Sequence, residues 1–146
     1  SEISAYFCQL ATLARGDWLL PIDDDALFVC QGWDDALPNS RRICFVLYGP
    51  SIPFVAVPRI VFTALGHLGA NPVDAWLHTL ARTAQFPVLD LLDRHYIDHR
   101  YKPREQARKA TMSPFVCDPV PAWLVPHDPI GPLIERLHAI DTSASV

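Results

Sequence analysis

A chain of 146 residues, half of them apolar and 19% charged, has the size of one domain that hides roughly 70% of its unfolded surface; this composition excludes intrinsic disorder. No apolar run approaches the roughly 20 residues that cross a bilayer, so a membrane partner is not expected. Net charge is −4, and residues 1–40 carry seven acids against Arg15 alone, which argues against nucleic acid, whose binding needs a broad basic face.

Residues 2–14 place Ile3, Tyr6, Phe7, Leu10, Leu13 and Ala14 at three- and four-residue spacing, which predicts an amphipathic helix capped by Ser1 and terminated by Gly16. Three short runs of branched and aromatic residues follow, Ala26–Cys30, Ile43–Tyr48 and Ile52–Val57, and read as strands. Gly49-Pro50-Ser51 links the last two as an antiparallel hairpin. Pro53 lacks an N–H and places its strand at an edge. The unbroken apolarity of the second strand implies that both its faces are covered, with helices as the expected cover.

Pro58 can open a helix through Ile60, Val61, Phe62, Ala64, Leu65 and Leu68, weakened by Gly66 and Gly69. Asn71-Pro72-Val73-Asp74 combines a capping side chain, a proline at the first helical position and an early acid, ahead of the stripe Val73, Trp76, Leu77, Leu80 and Ala84. A further helix is expected from Pro87 to about Tyr101, where Pro103 discourages continuation. Residues 113–132 hold six prolines and suit an extended strap. Ile130–Ile140 reads as a last helix. The expected fold is α+β, one globular domain over 1–146: a small antiparallel three-stranded sheet at residues 26–57, packed by an N-terminal helix and three to four C-terminal helices, with a proline-rich extended segment. Because the chain opens directly into a helix, a piece of a longer enzyme also fits.

On the helix expected near residues 87–101, His95 and His99 continue the apolar face formed by Val88, Leu91, Leu92 and Tyr96. Histidines four residues apart can share one zinc ion, given a third ligand such as His67, His78 or an acid from Asp23, Asp24 and Asp25. The metalloprotease pattern needs glutamate directly after the first histidine; Tyr96 stands there. The two rings therefore read first as the end of a core stripe, and as a metal or acid/base site only if the fold adds a partner. His127-Asp128, between Pro126 and Pro129, cannot take the helical placement of a metal phosphohydrolase pair.

Asp23, Asp24 and Asp25, with Asp34 and Asp35, concentrate carboxylates that can bind a divalent cation or a basic partner, although such runs commonly cap helices and face solvent. Arg100, Lys102, Arg104, Arg108 and Lys109 form a basic stretch able to hold an acidic protein surface or a small anionic ligand. Trp123, within Pro119–Pro126, is a docking residue if exposed and closes the core if buried. Cys8, Cys30, Cys44 and Cys117 sit among apolar neighbours and read as reduced core thiols of a cytosolic protein. No G-x-S-x-G elbow or glycine-rich phosphate loop occurs. The leading expectation is a cytoplasmic, bacterial binding or adaptor module whose partner is another protein. The rival is a small metal-dependent or acid/base enzyme using His95 and His99.

Overall fold

The structure, a computed structural model, describes residues 2–23, 26–49, 54–69, 73–99 and 130–144. In chain order these form α1 (Glu2–Leu13), β1 (Trp18–Leu19), β2 (Ala26–Phe28), β3 (Phe45–Tyr48), β4 (Phe54–Pro58), α2 (Arg59–Leu65), α3 (Val73–Thr83), β5 (Val88–Asp90), a 3-10 turn (Leu92–Arg94), β6 (Ile97–His99) and α4 (Ile130–Ala144). No described helix is long and apolar enough to cross a membrane.

The class is loosely α+β, but the expected three-stranded antiparallel sheet at residues 26–57 does not form. A four-stranded mixed sheet runs β1-β4-β3-β5, and β2 leaves it to pair with β6 in a separate two-stranded sheet. The β3–β4 hairpin is antiparallel as expected, with Val46 opposite Ala56 and Tyr48 opposite Phe54. Yet β4 lies inside the sheet, between β1 and β3, rather than at its edge. Pro53 precedes the strand and the other proline, Pro58, is its last residue, so neither removes a donor from its middle.

The helix expected from Pro87 also gives way. Val88–Asp90 instead extends the sheet as β5, parallel to β3 with Val46 opposite Leu89. Phe45 N–H donates to Pro87 O and Leu91 N–H to Leu47 O, both at 3.0 Å. The open edge of β3 therefore outweighs local helix propensity, because those backbone groups would otherwise be buried unpaired. Asp90 Oδ1 then accepts Leu92 N–H, which ends the strand, and His95 takes a left-handed conformation at φ 52° that a continuing helix cannot contain.

Every residue of β3 and β4 is buried, and the two-residue period of the strands divides them between two cores. Phe45, Leu47, Val55 and Val57 face the helices, packing with Trp76, Leu77, Leu80, Leu133 and Leu137. Val46, Tyr48, Phe54 and Ala56 face the other way, against Ile97, Leu91 and the partly buried Trp18, Trp33 and Tyr96. Among the described residues, helices thus cover one face only. The N-terminal helix is also rotated from expectation: Ala11 is buried and Phe7 packs on the core, while Tyr6, Leu10 and Leu13 are exposed.

α4 is the clamp on the helical side. Leu133, Leu137 and Asp141, spaced by four, form its buried stripe. Arg136 Nη1 donates to Ala64 O near the end of α2 at 3.0 Å. His138 Nε2 lies 2.8 Å from Ala84 O, just past α3, so the neutral ring carries its proton on Nε2. Asp141 accepts the buried Ile43 N–H at 2.6 Å through Oδ1 and a forked bond from Arg42 Nε and Nη2, at 3.1 and 2.8 Å, through Oδ2. The Arg42 hydrogen bond holds the Asp141 carboxyl below its usual range, with Ile43 N–H assisting and burial opposing.

Two stability predictions follow from these contacts. A Cβ at Gly69, where φ is +90°, would stand 2.1 Å from the Trp76 ring, whereas one at Gly66, φ +76°, meets nothing within 4 Å. Gly69→Ala should therefore cost about 3 kcal/mol and Gly66→Ala only about 1 kcal/mol, compared by urea denaturation. Asp141→Ala orphans the Ile43 N–H and should cost about 2 kcal/mol at neutral pH. A carboxyl whose pKa is depressed on folding stabilises above its unfolded value and loses that contribution as pH falls through the folded one. The deficit of the variant should thus persist at neutral pH and shrink below about pH 4.

Candidate functional site

The histidine pair does not form the helical site that its spacing suggested. His95 is exposed on the turn between the 3-10 segment and β6, and His99 ends β6 opposite Ala26. A left-handed residue and an extended strand replace the helical turn that would have superposed the two rings. Among the described residues no three of His, Cys, Asp and Glu gather as a metal site. His67 Nδ1 accepts Gly69 N–H at 3.0 Å, and its ring meets Trp76 edge-on. His78 lies half-buried on α3, where burial first and Arg82 second push its pKa down.

Of the proposed binding residues, Asp23 is exposed and its carbonyl accepts Ala26 N–H at the start of β2. Asp24, Asp25, Arg100, Lys102, Arg104, Arg108, Lys109, Trp123, Cys117 and the His127-Asp128 pair lie outside the described residues. The described cysteines are free thiols, as expected, but they are not core residues: Cys8 and Cys44 are partly buried and Cys30 is exposed. Cys30 Sγ donates to His95 O at 3.4 Å, tying the end of β2 to the turn before β6.

What the fold assembles instead lies at that end of β2. Leu27, Phe28 and Val29 are 39%, 42% and 49% exposed in succession. In an alternating strand at least one face of such a run is normally withdrawn, so three open apolar side chains in a row are unusual. They adjoin an open depression of about 450 Å³ lined by Phe28 to Asp34. Its floor is aromatic: the Phe28 and Trp33 rings lie 4.7 Å apart, tilted by 31°, and Trp33 meets Tyr48 edge-on at 6.0 Å.

Tyr48 fixes this loop from beneath. Its hydroxyl donates to Trp33 O at 2.7 Å, while Tyr96 packs edge-on against its ring at 6.0 Å. Val29 N–H donates to Tyr96 O at 3.0 Å, continuing the β2–β6 pairing beyond Phe28. On the far side Leu37 N–H closes a turn onto Asp34 O. The depression is thus built on a tyrosine of the central strand, with exposed Asp34 in its lining and exposed Asp35 beside Gly32.

Sequence reasoning identified the carboxylates and the strand but not the groove. The available signal was an aromatic residue on each side of Gly32, within a stretch that carries acids and no bases. Burial, reinforced by Tyr96 and Asp34, pushes the Tyr48 hydroxyl up to about 12. A raised phenol pKa adds stability that is complete below about pH 10, the unfolded value, and is lost as pH climbs to the folded one. In an absorbance titration the Tyr48 phenol should ionise only near pH 12. Tyr48→Phe should be less stable at neutral pH and show a shallower alkaline loss between those limits.

No known protein family, curated protein or solved structure matches this chain.

Proposed function

We propose that the chain is a protein-binding module without catalytic activity of its own, and that the end of β2 is its docking face. The observation that carries this reading is the run of open apolar side chains, Leu27, Phe28 and Val29, beside the aromatic depression. An exposed apolar patch on a folded domain is held at a cost in solubility, and a contiguous one beside a concavity marks a contact surface. Aromatic side chains suit such a surface because they bring large contact area with few rotatable bonds.

Tyr48 and the β2–β6 pairing hold the patch in place before any partner arrives, which reduces the ordering entropy of association. The partner is another protein that presents a short apolar segment, and the setting is the cytosol. The free thiols of Cys8, Cys30 and Cys44 support that compartment.

A random peptide library displayed on phage and selected on the immobilised protein tests this reading. Enriched peptides should perturb the amide resonances of residues 27–34 and should lose at least about tenfold in affinity on Phe28→Ser, in keeping with the loss of a buried aromatic anchor. Circular dichroism of that variant should match the parent. Failure to enrich any sequence, or equal binding to the variant, would overturn the reading.

A further inference from the structure

The chemistry of the groove also specifies its partner, on the understanding that this inference rests on the docking face proposed above. We propose that the occupant of the Phe28–Trp33 groove is a basic segment of another protein, with an arginine or lysine seated against the ring pair and paired with Asp34 and Asp35.

Charge is the first argument. From Arg15 to Arg41 the chain contains no Lys or Arg, yet it carries Asp17, Asp23, Asp24, Asp25, Asp34 and Asp35. The loop that builds the groove therefore brings no cation of its own. Among the described residues neither Asp34 nor Asp35 has an ion-pair partner, and the Arg42–Asp141 pair lies elsewhere, between the segment leading into β3 and α4. A carboxylate on an exposed rim is well solvated and tolerates this state, but it favours any cation that reaches the groove.

Placement is the second. Asp34 lines the depression together with Trp33. Asp35 folds back over the loop, so that a Cβ at Gly32 would lie 3.3 Å from its Oδ2. Asp34 thus borders the aromatic floor, and Asp35 stands beside Gly32, another residue of the lining. A cation over an aromatic face is drawn to the ring quadrupole, and a nearby carboxylate adds to that attraction. Arg fits best because its planar guanidinium stacks on a ring while its N–H fork reaches a carboxylate.

Apolar surroundings are the third. Phe28 and Val29 stand open beside the same groove and can accept the aliphatic stem of a long basic side chain or an adjacent apolar residue. A purely acidic loop would attract mobile cations without selecting among them. An acidic rim around an aromatic floor instead selects a segment that alternates basic with apolar residues.

Three synthetic peptides of common apolar residues separate the possibilities: one bearing arginine, one with glutamine in its place and one with glutamate, titrated into the intact chain at low and high salt. The arginine peptide should bind about tenfold more tightly than the glutamine peptide, and the glutamate peptide more weakly still. Added salt should erase most of the difference. Asp34→Asn with Asp35→Asn should remove the preference for arginine and leave the glutamine peptide unchanged, whereas Phe28→Ser should weaken all three. If all three bind equally and the double asparagine variant behaves as the parent, the basic partner is overturned while the docking face stands. If none binds, or if Phe28→Ser changes nothing, the docking face fails as well. Sedimentation that reveals a dimer dissolved by the double asparagine variant would assign the groove to a second copy of the chain and overturn a foreign partner.

Discussion

The central constraint on this fold is that β3 and β4 have no wet side. All nine of their residues are buried, so the chain must cover both faces of a sheet that is only four strands wide. Helices complete the first face, through the stripe of α3 and the clamp of α4. Among the described residues, the second face is closed by β1, the loop bearing Trp33, and the β2–β6 pair with Ile97 fully buried beneath it. The groove is a by-product of that second closure. Among the described residues, one short sheet and a loop bury Tyr48 and Ile97 while Leu27 and Phe28 of β2 stay exposed.

The clamp and the closure meet at β3. Asp141 secures the backbone just before the strand, and Tyr48 at its other end secures the Trp33 loop. The two polar groups differ in character. Asp141 is an ionised carboxylate whose charge is balanced by Arg42, whereas Tyr48 is a neutral phenol kept neutral by burial. Each satisfies a backbone group that an apolar residue would leave orphaned.

Where local chemistry decides the outcome, the sequence is legible. Pro58 ahead of α2, the apolar stripe of α3 and the start of α4 follow from spacing and capping, whereas α2 stops at Leu65, where Gly66 turns left-handed, and not at Leu68 as expected, and α4 runs four residues past Ile140. The β3–β4 hairpin follows likewise. Legibility fails where a distant edge makes the choice. Val88-Leu-Asp has a helical apolar pattern, and only the open side of β3 turns it into a strand. With it goes the His95–His99 face, which had been the most conspicuous chemical feature of the chain. Ala26–Cys30 reads correctly as a strand, yet its partner lies some seventy residues onward, at Ile97–His99. Period-two reasoning cannot say which sheet a strand joins, and so the exposure of Leu27, Phe28 and Val29 was not visible.

That long-range pairing has a kinetic side. Joining β2 to β6 closes a loop of about seventy residues, a step whose entropic cost must be met before its own few hydrogen bonds form. The intervening hairpin and helices shorten that loop once they fold, so the β2–β6 sheet is best placed to form late and to open first. A ligand held by β2 would then act as a brake on local opening, and its affinity would be felt as protection of the amides around Ile97, a strand away from anything it touches.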